Sequence, residues 1–222
     1  MVFQFFKGGE STIDVVEATL VRMVLDGRDV YDTAMDALFG GGKSKETKQE
    51  LKTTDRVINT AQKDVRRDLM IHASVSDTVD LPLVLAYMST VKDAERIGDY
   101  SKNFYDLVKY GADFENAPDR DLLADYRNRV STLLSDAAQT FKDRDENRAR
   151  ELIAKADGFL DEYDAHVKAA AQSTGPASDA VARALYFRFL KRITAHVMNF
   201  LTSLVLPLDQ LDYYDEAKDD RE

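Results

Sequence analysis

The sequence predicts an all-α protein made of two tandem three-helix bundles with six long helices. Apolar residues recur at helical spacing along nearly the whole chain, and no stretch of four or more residues alternates apolar and polar between turn signals. Glycine and proline corners cut this pattern into six runs. The second half also echoes the first: shifted by 96 residues, Arg96, Ile97, Asn103 and Phe104 fall on Arg192, Ile193, Asn199 and Phe200.

The first helix is expected over residues 12–38, with Val16, Leu20, Met23 and Val24 on one face and Gly40, Gly41 and Gly42 stopping it. A second follows over 44–74, opened by a capping-box-like Ser44-Lys45-Glu46-Thr47 and carrying Leu51, Val57, Ile58, Val65 and Leu69. The corner at 76–80 leads to Pro82, which is tolerated in a helix's first turn but not in its middle, so a third helix spans 81–110. Gly111 and Pro118 close the first half. The second half runs 119–141, 146–172 and 177–206, with the corner Ser173-Thr174-Gly175-Pro176 answering the one at Pro82. Second and fifth helices align at an offset of 102: Phe39 on Phe141, Leu51 on Ile153, Asp55 on Asp157, Asn59 on Asp161. The expected repeats are therefore 11–114 and 115–210, followed by an acidic, frayed tail at 211–222.

At 222 residues, 44% hydrophobic and 32% charged, with 10 Gly and 4 Pro, the chain has the balance of a folded helical protein. It contains no cysteine, which excludes disulfides, thiolate metal sites and cysteine nucleophiles. Residues 1–9 lack a basic leader followed by a long apolar run, so no secretory signal is expected there. The longest apolar run, 200–208, is far short of the about 20 residues that span a bilayer. Cytoplasmic location is the expectation. The formal charge of −10 opposes nucleic-acid binding, which draws most of its affinity from phosphate contacts, and suits a cation or a basic protein surface better.

Glu95 and Asp99 are four residues apart and so share a helix face; Asp55 with Asn59 and Asp157 with Asp161 do the same. If second and third helices pack antiparallel, such pairs can offer oxygens to a hard cation such as Mg²⁺, Mn²⁺ or iron. Against this, 40 acids in 222 positions give about seven pairs at that spacing by chance, most of them on solvated faces. In the echo, Lys191 and Ala195 stand where Glu95 and Asp99 stand in the first copy. No Glu precedes a His by three, so the diiron-bundle pattern is missing; Asp68 and Glu162 precede His72 and His166 by four, a spacing that more often marks a surface hydrogen bond. The glycine run before Lys43 lacks the first glycine and the strand of a phosphate loop and is expected to be a turn. The aromatic residues Tyr105, Tyr110, Phe114, Tyr186, Phe187 and Phe189 are expected in core or interface, and Tyr213 and Tyr214 at a contact surface.

The run Glu95-Arg96-Ile97-Gly98-Asp99-Tyr100-Ser101-Lys102-Asn103, preceded by Asp55-Arg56-Val57-Ile58-Asn59, resembles the signature of PhoU-type proteins, and the resemblance extends over about residues 12–208. It implies tandem three-helix bundles and a non-enzymatic regulator of phosphate uptake and phosphate-starvation signalling. Such a protein is a cytoplasmic adaptor that contacts a phosphate transporter subunit, and in some pathways a sensor histidine kinase, so it reaches the membrane through its partners; a homodimer is open. Some relatives hold divalent metal (iron, Mn, Mg or Zn) through carboxylates on each bundle. Carried over, the metal positions are Asp55, Asn59, Glu95 and Asp99 in the first bundle and Asp157 and Asp161 in the second. His196 and Asn199 fit the family pattern, but Lys191 puts a fixed positive charge where a cation would sit and is expected to pair with Asp157 or Asp161. Two alternatives remain open: a metal-dependent enzyme on the same bundles, a phosphohydrolase or oxidase, and a metal-free helical scaffold.

Overall fold

The computed structural model describes residues 11–75 and 79–211. The corner at 76–78, the first ten residues and the tail from 212, with Tyr213 and Tyr214, lie outside the described residues. Among the described residues there are six α-helices and no strand: α1 (Thr12–Asp36), α2 (Lys45–Val75), α3 (Leu81–Lys109), α4 (Arg120–Asp143), α5 (Glu146–Ala171) and α6 (Ala177–Thr202). α1, α2 and α3 pack together as one bundle, and α4, α5 and α6 as the second.

The helix ends are chemically fixed. Ser11 and Asp14 form a reciprocal capping box, with Asp14 N–H donating to Ser11 Oγ at 3.1 Å and Ser11 N–H donating to Asp14 Oδ2 at 3.0 Å. α1 does not stop at the glycine run but passes through a π-helical turn, Ala37–Gly41, in which Gly40 has φ 119°. Gly42, at φ 64°, completes the exit, and both conformations are costly for any side chain bearing a Cβ. Phe114 N–H then donates to Leu38 O at 2.9 Å, so the chain beyond α3 satisfies a carbonyl that the end of α1 leaves open. Asp80 caps α3 through Leu83 N–H at 3.1 Å, with Pro82 in the first turn as its fixed φ requires.

α2 is anchored on one narrow stripe, Leu51, Ile58, Val65 and Leu69, and its other faces are open. α3 is the opposite: it is buried along both sides, against α1 and α2 on one and α6 on the other. Asp93 meets His196, Tyr100 meets Phe189 and Phe104 meets Tyr186, so rising numbers on α3 match falling numbers on α6 and the pair is antiparallel. With α1 against α4 as well, one continuous apolar core runs through both bundles. Tyr31 and Tyr186, fully buried, donate to Arg127 O at 3.0 Å and Leu123 O at 2.7 Å, tying α1 and α6 to the backbone of α4. Arg144, in the left-handed conformation after α4, pairs with Glu17 at 2.5 Å, and Glu17 also accepts from Tyr87.

Two glycines set how closely α3 approaches its neighbours. A Cβ at Gly27 of α1 would lie 3.0 Å from Ile97 Cγ2, and one at Gly98 of α3 would lie 2.8 Å from Ile58 Cδ1 of α2. Gly98→Val places a branched side chain in that contact and is expected to cost about 1–3 kcal/mol by overpacking. The measurement is urea unfolding of the variant beside wild type; an unchanged midpoint contradicts the close-approach reading.

Candidate functional site

The contact between Ile58 and Gly98 brings the polar residues that flank it into register. Asp55 lies three residues before Ile58 and Asn59 directly after it on α2, and Glu95, Asp99 and Lys102 follow one another along the matching face of α3. The first-bundle residues singled out in the sequence therefore do come together. They do so around a lysine. Lys102 Nζ donates to Asp55 Oδ1 at 2.8 Å and to Asp99 Oδ1 at 2.7 Å, bridging the two helices. Asn59 Nδ2 donates to Asp55 Oδ2 at 3.3 Å. The Arg96 guanidinium lies 3.7 Å from Asp99 and 3.9 Å from Glu95.

The electrostatics follow from this arrangement. Burial raises the Glu95 pKa, and the Asp99 charge and a hydrogen bond to Asp99 push it the same way, while Arg96 and Lys102 oppose. Lys102 is held more firmly protonated than usual: its partial burial works against the charge, but hydrogen bonds to Asp55 and Asp99 outweigh it. Among the described residues no group of three or more His, Asp or Glu is arranged to hold a metal ion. Asp55 and Asp99 each aim an oxygen at an ammonium instead of at an opening, and this donor set does not fit a hard cation, which takes about six to eight oxygens as ligands.

In the second bundle, Asp157 is half-buried and Asp161 exposed on α5. Lys191 reaches Asp164 of the same helix. His196, despite fitting the signature, faces the other way: its Nδ1 is 2.9 Å from Asp93 Oδ1 across the seam between the bundles, and its ring stacks on Tyr100 at 5.6 Å. His166 and Glu162 do not meet as a ligand pair. Both engage Tyr126, His166 Nε2 at 3.0 Å and Glu162, accepting from the hydroxyl, at 2.8 Å. The Tyr126 pKa is pushed up to about 12 by burial and by that bond to Glu162, and burial lowers the His166 pKa. Tyr105, Phe114, Tyr186 and Phe187 are core residues and Phe189 lies against Tyr100 and Phe104 in the seam, while Tyr110 is exposed. Sequence reasoning missed the roles of Lys102 and Asp93. The i,i+3 spacing of Asp99 and Lys102 was a visible sign of the first; nothing local marked the second.

The arrangement defines a class: tandem three-helix-bundle proteins with an acid-bearing face on the second and third helices of the first bundle. Residues 20–108, from within α1 to the end of α3, match the model of the PhoU domain. The chain is 27% identical over 196 residues to the "Phosphate-specific transport system accessory protein PhoU homolog" of Synechocystis sp., covering 86% of each chain. Its fold matches the crystal structure of the phosphate transport system regulatory protein PhoU from Streptococcus pneumoniae with a TM-score of 0.75 at 19% identity, over 88% of this chain and 93% of that one. PhoU from Pseudomonas aeruginosa gives the same TM-score and identity over 90% and 96%. Over residues 20–108 the chain is thus similar to the PhoU domain, and its fold is that of the solved PhoU structures.

The raised Glu95 pKa fixes the sign of a pH effect. The folded state holds this proton more tightly than the unfolded chain, so the group's stabilising contribution is present below the ordinary carboxylate pKa and is lost as pH rises through the folded value. Glu95→Gln, which keeps a donor toward Asp99, is therefore expected to be more stable than wild type at pH 7, with the difference closing toward pH 4. Denaturant midpoints at the two pH values check this; a variant less stable at pH 7 contradicts it.

Proposed function

We propose that this chain is a non-enzymatic accessory regulator of phosphate transport that works in the cytoplasm as an adaptor on a phosphate transporter and reaches the membrane through that partner. The observation that carries the reading is the PhoU domain match over residues 20–108, which covers the half bearing the Glu95 to Asn103 signature. The Synechocystis relative, whose printed name is an accessory protein of a phosphate-specific transport system, aligns over 86% of the chain and so supports a role for both bundles. Among the described residues no helix is long and apolar enough to cross a membrane, which agrees with docking on a transporter in place of insertion.

The competing reading, a metal-dependent phosphohydrolase or oxidase, needs an ion with open coordination positions beside a base or nucleophile. The acid-bearing face instead has its inward carboxylate oxygens hydrogen-bonded to Lys102, which favours the adaptor. A contact with a sensor histidine kinase fits the same role as a second partner.

The test is genetic and biochemical together. Deleting the gene is expected to change phosphate uptake and its repression by phosphate, and affinity-tagged protein cross-linked in native membranes is expected to recover a phosphate-transport component identified by mass spectrometry. Unchanged uptake, together with no such component recovered by demonstrably folded protein, overturns the reading.

A further inference from the structure

The α2–α3 face of the first bundle carries its own cation. Asp55 comes from one helix and Asp99 from the other, and a single ammonium, Lys102 Nζ, sits 2.8 Å from the first and 2.7 Å from the second. We propose that Lys102 is the built-in counter-ion of this site, filling the place for which the family resemblance implies a divalent metal, so that the α2–α3 crosslink of this chain is metal-independent. The inference does not rest on the phosphate-transport reading and is tested separately from it.

Charge and geometry both support it. Asp55 and Asp99 face two cations, Lys102 and Arg96, with Arg96 3.7 Å from Asp99. A divalent ion entering here would have to displace these cations from the carboxylates as well as lose its own water. The remaining member, Asn59, turns its amide N–H toward Asp55 and so stabilises that carboxylate as a donor. The carboxylate oxygens facing the gap are already hydrogen-bonded to Lys102, at charge-assisted distances. Because Lys102 is three residues beyond Asp99, it sits on the same face of α3 and reaches across to α2 without distortion.

The second bundle uses the same chemistry from a different position. Lys191, which aligns with Glu95 in the 96-residue echo, pairs with Asp164 of α5. In each bundle, then, a lysine on the third helix meets an acid on the second. The first bundle keeps the acids of its signature and neutralises them with a lysine seven positions further along, whereas the second replaces the acid itself.

The experiment uses the purified full-length chain, Lys102→Gln and the charge-keeping Lys102→Arg. Each is dialysed against Mn²⁺, then assayed for metal per chain and for Tm with and without EDTA. Wild type and Lys102→Arg are expected to hold no stoichiometric Mn²⁺ and to show no Tm change with metal or chelator. Lys102→Gln is expected to melt about 2–4 °C lower without metal, the shift of a lost interhelical ion pair in a chain of this size. With its carboxylates released, it is expected to take up about one Mn²⁺ per chain and recover that Tm. Stoichiometric Mn²⁺ on wild type with a Tm that falls in EDTA overturns the proposal, as does a folded Lys102→Gln that gains no metal response. Should Lys102→Gln not fold, the wild-type metal content and EDTA response decide alone.

Discussion

The contact at one level of α3, where Ile97 meets Gly27 of α1 and Gly98 meets Ile58 of α2, sets the geometry of the first bundle. Without a Cβ at Gly98 the second and third helices approach closely enough for Ile58 to lie on backbone, and this fixes the register of the polar rows on either side. Asp55 and Asp99 are then carried to within reach of one ammonium, and the partial burial that follows from close packing raises the Glu95 pKa. Like charges at that separation in a poorly solvated place cost free energy unless a cation or a proton intervenes. Here Lys102 is that cation, and the same closeness raises the Glu95 pKa. The acid cluster is a consequence of helix packing before it is anything chemical.

α3 also joins the two halves, because its far side is packed along α6. The seam is mostly aromatic, Tyr100 and Phe104 against Phe189, Tyr186 and the ring of His196, with the Asp93–His196 hydrogen bond as a buried polar contact among them. Aromatic edge-to-face packing contributes burial with directional preference, and a buried acid meeting a single histidine penalises any slip of the helices that would leave it unpaired. The bundles thus share a core, while the Glu17–Tyr87–Arg144 cluster and the α1–α4 contacts bind their outer edges.

Much of this architecture was legible in the sequence because helices of 24 to 31 residues repeat their apolar spacing many times over. The six helices fall within a few residues of the expected runs. The largest difference is at the end of α6, expected near residue 206 but reached at Thr202, where Leu204, Val205 and Leu206 form turns ahead of Pro207. A residue preceding proline is pushed out of helical conformation, and periodicity is blind to that. Co-location of Asp55, Asn59, Glu95 and Asp99 was also legible, since spacing on each helix and an antiparallel pairing suffice. The role of Lys102 was not, because one-dimensional spacing relates it to Asp99 but cannot say which residue of α2 it meets. His196 shows the same limit: the sequence places it in the sixth helix, and only the antiparallel docking of α6 on α3 brings it to Asp93.

The two bundles differ in how they handle charge, and the difference bears on recognition. The partly buried acids of the first bundle's inner face are matched by Lys102 and Arg96, and Glu17, Asp93 and Asp164 each meet a basic side chain. Half of the formal charge of −10 lies outside the described residues, −4 in residues 212–222 and −1 at Asp77, and the other −5 belongs to the described residues. Fields from exposed carboxylates act over about a Debye length, near 8 Å at physiological ionic strength, and accelerate encounter with a surface of opposite sign. On the proposal that Lys102 crosslinks α2 and α3, the first bundle needs no metal to hold its shape, and the exposed carboxylates are left to act outward on a surface of opposite sign.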